Sequence, residues 1–451
     1  MPVERRLLRK VTTCSAVVDS ESNYFLKLTY FEERDKFFTL IIKCRSEIEA
    51  IVACHLGLKS PKQCHVADIE QWIHGTFNLL PGNADEKVRC EAGACVWLQQ
   101  ECPSIPIPYL HGFGLSNGQH YTLTKKLRWL PWLVQKLRCA LLWIRGRQLP
   151  SDYVPHYSQK LKNSFGPYLV MEYIERTEGQ MLSETWSKHR DDKGRMTNLF
   201  QGLSHLMLRL SHIRLPKIGS FIINDAGFLR LDNRPLTSML QELEIASAPL
   251  HIPRDRTYTS VIAYVNDLLT YHDNRLRHDL NATSGIEQYF FVDEDWNITR
   301  VIDLEWAASL PVEFIQLPHW IGSDKEVDAV DMARYSSLLD EYISIMEKNG
   351  NELYGHEVQK GALAKLPCLI KSGWETGTFW YNLVLRSPPA MHTLFYNMIQ
   401  PQFAAQHLKD TDFYRVVGFY WCRKSSLFIR GKLDEKEEYD RRLKEEFQVF
   451  D

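Results

Sequence analysis

No two of the ten cysteines stand as Cys-x-x-Cys, so the chain offers neither a zinc ribbon nor a dithiol redox pair. Ten in 451 residues are also too sparse for a disulfide scaffold. The repeated pairs Cys54-His55 and Cys64-His65 read as buried structural cysteines rather than ligands. Charge of one sign is lacking too. The formal net charge is −2, which gives nucleic acid no field to meet, and no basic cluster runs long enough for a binding tail. No uncharged apolar run reaches the length of about 18 residues that a transmembrane helix needs. The opening MPVERRLLRKVTTCSAVV has charge but no apolar core, so it is not a signal peptide, and the sequons at Asn281 and Asn297 then carry no meaning. There is no internal repeat and no low-complexity segment. These absences predict a reduced, soluble, cytoplasmic protein.

What is present is an ordinary globular composition, 44% hydrophobic and 24% charged, with length for two or three domains of about 100–200 residues each. Phe37–Leu56 predicts a strand followed by a helix. His74-Gly75-Thr76-Phe77-Asn78 is a glycine turn between apolar flanks. A helix follows from Asn83 to about Gln99, with Asn83 or Asp85 as its cap and acidic residues in its first turn. Tyr109–Leu115 and Tyr168–Ile174 read as strands, and Lys217–Arg234 as strand-turn-strand around Asp225-Ala226-Gly227. Residues 182–213, 257–277 and 330–348 carry apolar residues at three-to-four spacing, and 351–451 look helical.

Tyr289–Trp306, YFFVDEDWNITRVIDLEW, reads as a β-hairpin whose second strand ends on Asp303. An acidic residue after the apolar pair Val301-Ile302 is costly to bury without a partner. A carboxylate in that place is how the protein-kinase-like fold presents its magnesium ligand.

With these elements laid out, the chain resembles the aminoglycoside-phosphotransferase and choline-kinase-like superfamily, in the branch found in filamentous fungi. The resemblance rests on HGTFN (His74–Asn78), PGNADEKVRCEAG (Pro81–Gly93) and CPSIPIPYLHGFG (Cys102–Gly114). It continues in GPYLVMEYIE (Gly166–Glu175), PKIGSFIINDAGFLRLDNRPL (Pro216–Leu236) and VDEDWNITRVIDLEW (Val292–Trp306). It implies an α+β, bilobal protein-kinase-like fold with a truncated N-lobe sheet and a mostly helical C-lobe. Residues 1–35 would be an N-terminal extension, 36–171 the N-lobe with an insertion at 116–165, 172–350 the C-lobe with the metal-site hairpin, and 351–451 a helical C-terminal extension. It also implies Mg2+ and ATP as cofactors and a small hydroxylated molecule as phosphoryl acceptor.

Residue by residue, the resemblance puts Gly75 and Thr76 in the phosphate-covering turn and makes Glu91 the helix carboxylate that orients a nucleotide-binding cation. Glu172, Tyr173 and Ile174 would offer hinge backbone to adenine, and Asp303 would bind magnesium. Taken alone, Gly75 reads as an ordinary turn glycine and Glu91 as a solvated helix residue.

Two pieces of that design are missing from the sequence. Only Leu79, Leu80, Pro81 and Gly82 separate Asn78 from the helix, too few for two strands of about five residues each and for the Lys or Arg the second would bear. Lys87 and Arg89 lie on the helix instead. Before the hairpin, Ser284 and Tyr289 stand where the catalytic Asp and Asn belong. His278-Asp279, with Asn281 after it, is the nearest His-Asp pair. The chain as it stands is therefore expected to be inactive or nearly so, and a non-catalytic, partner-binding protein is the alternative.

The insertion segment Lys125–Arg147 is basic and carries Trp129, Trp132 and Trp143. Its composition fits an interfacial amphipathic helix, interrupted by Pro131. Packing against the N-lobe is the preferred expectation, and weak contact with a membrane surface the other.

Overall fold

The computed structural model describes residues 4–7, 11–18, 24–73, 83–157, 161, 163–245, 249–278, 290–323, 330–355, 365–386, 391–407, 409–410, 412–413, 416 and 425–448. The architecture is mixed α+β, with small antiparallel sheets among many helices.

Strand β1 (Glu4–Arg6) pairs antiparallel with β2 (Val11–Thr13) and leads into α1 (Cys14–Val18). Helices α2 (Tyr24–Lys43) and α3 (Arg45–Leu56) follow. The strand expected from Phe37 is therefore the last two turns of α2. No Gly or Pro falls between Tyr24 and Leu56, so a helix once nucleated continues through the β-branched run, and a short apolar stretch cannot by itself choose between the two structures. Gly57 then ends α3 in the left-handed region, φ 68°. The boundaries expected at 35/36 and 350/351 both fall inside helices.

Helix α4 (Ala84–Glu101) lies against a four-stranded antiparallel sheet. Asn83 sits at its N-cap position in a left-handed conformation and makes no side-chain cap. Asp85 instead accepts the Ser116 N–H at 2.8 Å. The strands are β3 (Leu110–Gly114), β4 (Gln119–Leu123), then helix α5 (Trp129–Ile144), β5 (Tyr153–Tyr157) and β6 (Tyr168–Met171), in the order β5-β4-β3-β6. Ala92, Cys95 and Val96 of α4 share one core with Leu110, Phe113, Tyr121 and Tyr153. Pro131 does not interrupt α5. It is the third helical residue, where the backbone N–H has no intrahelical partner to lose. The expected packing of α5 fails for most of its surface, since of its sixteen residues Gln135 alone is fully buried.

Strand β7 (Gln180–Met181) and helices α6 (Leu182–His189) and α7 (Lys193–Ser211) precede the hairpin β8 (Ser220–Ile223) and β9 (Leu229–Asn233). The Asn224 carboxamide oxygen accepts the N–H groups of Ala226 and Phe228 at 3.1 and 2.9 Å and closes the hairpin turn as expected. Helix α4 meets β8 at backbone distance, because a Cβ on Gly93 would lie 2.4 Å from the Phe221 carbonyl oxygen and 2.8 Å from the Ile222 Cα. One turn on, Trp97 stacks on Phe221 with 5.0 Å between ring centroids. Alanine at a helical glycine ordinarily stabilises by about 0.8–1 kcal/mol. Here the sign reverses: Gly93→Ala should lose about 1–3 kcal/mol in denaturant unfolding, because rigid backbone must move. A variant as stable as the parent would show that α4 stands off β8.

Helices α8 (Ser238–Ile245) and α9 (Val261–His278) lead to strands β10 (Phe290–Val292) and β11 (Ile298–Val301), which join β7 in the order β11-β10-β7. Helices α10 (Met332–Tyr354), α11 (Leu366–Glu375) and α12 (Thr378–Arg386) complete the largest core, in which Leu199, Phe200, Trp296, Trp320, Tyr342 and Phe379 meet. At the far end of the chain, Tyr439, Leu443 and Phe447 of the helix Ser425–Gln448 pack with Leu7, Val17 and Tyr24. Among the described residues, no helix is long and apolar enough to cross a membrane.

Candidate functional site

The hairpin turn is built by Asp293, whose carboxylate accepts the N–H groups of Asp295 and Asn297 at 3.0 and 2.9 Å and the Asn297 side-chain amide at 2.9 Å. Trp296 is fully buried, donates its indole N–H to the Thr185 hydroxyl at 3.1 Å and stacks on Trp186. At the other end, the Val301 N–H donates to the Pro106 carbonyl at 2.8 Å, which fastens β11 to the entrance of β3. The hairpin is thus held at both ends. Asp303, just beyond it, has φ 57° and ψ 51°. Asp is one of the few non-glycine residues that tolerate this left-handed region. It opens a single 3-10 turn, Leu304–Trp306.

That turn lies against α4. Leu304 and Val88 pack on the core that α4 shares with β3, as does Met171 of β6. Glu91 is half-buried and faces both Asp303 and Glu305. Burial first, then the charges of Glu305 and Asp303, push its carboxyl up to about 8, against which Lys87 and the Leu304 N–H act only in part. Glu91 therefore holds a proton more tightly than a free glutamate, and its half-buried place is not that of a solvated helix carboxylate. Lys87, one turn earlier, places its Nζ 2.8 Å from Glu305 Oε2 in a pair that is almost wholly buried, and also lies 5.3 Å from the Trp306 ring centroid. Arg89 points away. It bonds Asp225 and the Ile223 carbonyl and holds the β8–β9 turn.

Glu172, at the end of β6, donates its N–H to the Tyr109 carbonyl at 2.8 Å and accepts the Tyr109 N–H on its carboxylate at 3.1 Å. Its backbone N–H is thus committed to the sheet and its side chain pins the neighbouring strand. Tyr173 is 67% exposed, and neither it nor Ile174 takes part in those bonds. Of the predicted residues, then, Glu91 and Asp303 come together, while Glu172, Tyr173 and Ile174 follow directly on β6. Gly75 and Thr76 lie outside the described residues, as do Asp279, Asn281, Ser284 and Tyr289.

The chain matches no family model, no curated protein and no solved structure. What the site can do must come from its own chemistry. Among the described residues no three His, Cys, Asp or Glu side chains converge on a common point as a metal cage. Asp303 and Glu91 offer two carboxylates, and Mg2+ is commonly held by one or two carboxylates together with phosphate oxygens rather than by an all-protein cage. A cation there would also offset the crowding of negative charge that now raises the proton affinity of Glu91.

One polar cluster left no trace in sequence spacing. His55 of α3 and His120 of β4 both bond the Tyr168 hydroxyl, at 2.9 and 2.7 Å, while the Thr122 hydroxyl bonds His55 Nδ1 and His156 Nε2, each at 2.9 Å. The His55 ring lies directly over Gly112, where a Cβ would come within 2.1 Å of Nδ1. Burial keeps the three imidazoles neutral, pushing His55 down to about 3 and His156 to about 4, with the neighbouring histidines adding to the shift, and lowering His120 as well. The network pins α3 to the outer face of the sheet. Its central members His55, His120 and Thr122 are buried.

Proposed function

We propose that this chain has the bilobal design of an aminoglycoside-phosphotransferase-like small-molecule kinase, binds Mg2+·ATP weakly, and transfers phosphate to a small hydroxylated molecule poorly or not at all. The observation that carries this reading is the meeting of Glu91 on α4 with Asp303 at the end of the hairpin, where the Asp303 charge adds to the rise in Glu91's proton affinity. A helix carboxylate beside the acidic residue of a strand end is the pairing such a kinase uses to place metal and phosphates. Tyr173 and Ile174, directly after β6 and with Tyr173 67% exposed, would supply the adenine edge.

Impairment follows from the cations. Lys87 is committed to Glu305 and Arg89 to Asp225, so neither reaches toward the phosphates. The sequence ahead of the hairpin supplies Ser284 and Tyr289 in place of a base and an amide. Phosphoryl transfer depends almost wholly on positioning and charge neutralisation, so these losses cost orders of magnitude in rate. The closed Lys87–Glu305 pair also favours a second reading, a non-catalytic protein that binds a partner.

Calorimetric titration with Mg2+·ATP, run beside a phosphoryl-transfer assay on small alcohols, separates these readings. Saturable binding in the millimolar range is expected, lost in Asp303→Ala, with no turnover. Turnover by the unaltered chain would overturn the impairment, and absence of any binding would leave the partner-binding reading.

A further inference from the structure

Helix α5 is an apolar helix that the fold leaves uncovered. Its underside is settled. Gln135 is buried, and Arg138 donates to the Ala226 carbonyl at 2.9 Å and lies over the Phe228 ring, so that side rests on the β8–β9 hairpin. The opposite side carries Trp129, Trp132, Leu133, Leu137, Trp143 and Ile144, all exposed, with Trp129 at 75% and Trp143 at 73%. At the 100° per residue of an α-helix the uncovered apolar residues sweep an arc of roughly 200°. So broad a continuous apolar face marks a binding surface.

Its charge pattern says what covers it. From Cys102 to Ser151 the sequence has no Asp or Glu at all. Lys125, Lys126 and Arg128 precede the helix, Arg145 and Arg147 follow it, and Lys136 emerges within the apolar arc, all of them exposed. Tryptophan stands near both ends. Long basic side chains can lay their stems along the apolar face and lift their charge to an aqueous boundary, and tryptophan favours that same boundary. A second copy of this chain is a poor occupant, because face-to-face packing would set two cationic collars against each other with no acidic residue between them. At sixteen residues the helix is too short to span a bilayer.

We infer that α5 is a membrane-docking helix that lies flat in the interface of a bilayer bearing anionic lipid, with its tryptophans and leucines inserted and its basic collars on the head groups. Insertion takes the large apolar side chains out of water, and the collars add an attraction that salt weakens. This inference does not rest on phosphoryl transfer, since the surface works whether or not the site turns over.

The test is flotation of the full-length chain with phosphatidylcholine vesicles, with and without phosphatidylserine, at low and high salt. Binding should appear with phosphatidylserine, weaken as salt rises, and fall at least about tenfold in the Trp129→Ala/Trp132→Ala/Trp143→Ala variant. A Lys125→Glu/Lys126→Glu variant should also lose binding with the apolar face untouched. All five positions are exposed, so the thermal unfolding of both variants should match the parent. Equal binding to pure phosphatidylcholine would overturn the role of the collars. Failure to float with any vesicle, or a concentration-dependent dimer that the tryptophan variant abolishes, would overturn membrane docking.

Discussion

Replacing Arg234 by methionine should lower the unfolding free energy by about 3–5 kcal/mol, measured in urea at neutral pH. The guanidinium is 2% exposed and makes four charge-assisted or backbone bonds. They run to Glu86 Oε1 at 2.9 Å and Oε2 at 2.8 Å, to Glu244 Oε1 at 2.7 Å and to the Ile252 carbonyl at 3.0 Å. Glu86 is equally buried and also accepts the Asn233 amide at 3.0 Å. Methionine fills the space but leaves the buried Glu86 carboxylate with the largely exposed Arg254, 3.3 Å away, as its ionic partner. Most of the cost is thus that of a poorly compensated buried charge rather than of a lost contact. Glu86→Leu added to Arg234→Met should therefore cost less than the sum of the two single changes, since the buried Glu86 charge goes with its partner and only the partly exposed Glu244 remains. A loss below about 1 kcal/mol for Arg234→Met would mean that water reaches the pair. The consequence reaches the candidate site. Glu86 sits in the first turn of α4, next to Lys87 and five residues before Glu91, so this ion pair anchors the end of the helix from which the site is built.

Acid should be the second large perturbation. His55 and His156 stay neutral in the folded protein down to about 3 and about 4, and His120 is also lowered, whereas the unfolded histidines titrate near 6.5. The unfolded chain then binds more protons than the folded one below pH 6.5. The stability these groups contribute is complete above that pH and is lost as pH falls toward their folded values. Each histidine steepens the fall by up to ~1.4 kcal/mol per pH unit. His272 and His319, each pushed by burial to about 4, add the same trend from the helical part. His55→Asn should lose stability at pH 7, because Tyr168 and Thr122 lose a partner, yet show a shallower decline between pH 6.5 and 4.5. Parallel curves for parent and variant would mean that His55 takes up its proton without leaving the sheet.

Much of the α+β layout was legible in the sequence, for identifiable reasons. The hairpin at Phe290–Val301 and the strand pair at Ser220–Asn233 carried turn-rich segments, Asp293–Asn297 and Asp225-Ala226-Gly227. Both turns form, the first through Asp293 and the second through Asn224, which the sequence did not single out. Helix α2 was misread because Phe37–Ile42 is β-branched and aromatic over a length where period cannot decide. Helix α5 was misread in its packing because amphipathic composition does not say which side the fold will cover. The site was half legible. Asp303 announced itself as a charge after an apolar pair, but Glu91 offered no local sign that its helix face would meet that turn. The partnership of Lys87 with Glu305, and the histidines at 55, 120 and 156, depend on contacts between distant segments that no spacing encodes.

The packing of the two chain ends against each other has a meaning in polymer terms. The Tyr24 N–H donates to the Tyr439 hydroxyl at 2.8 Å, across 415 positions, and Phe25 meets the same ring edge-on. The clasp makes the chain a closed loop, and the entropy of closing a loop grows only with the logarithm of its length. Doubling a flexible loop would add about 0.6 kcal/mol. Segments inserted between Asn78 and Asn83, or ahead of the hairpin, would therefore leave the closure almost unchanged. In this one term the contact of Tyr24 and Phe25 with Tyr439 is indifferent to how much chain lies between its partners.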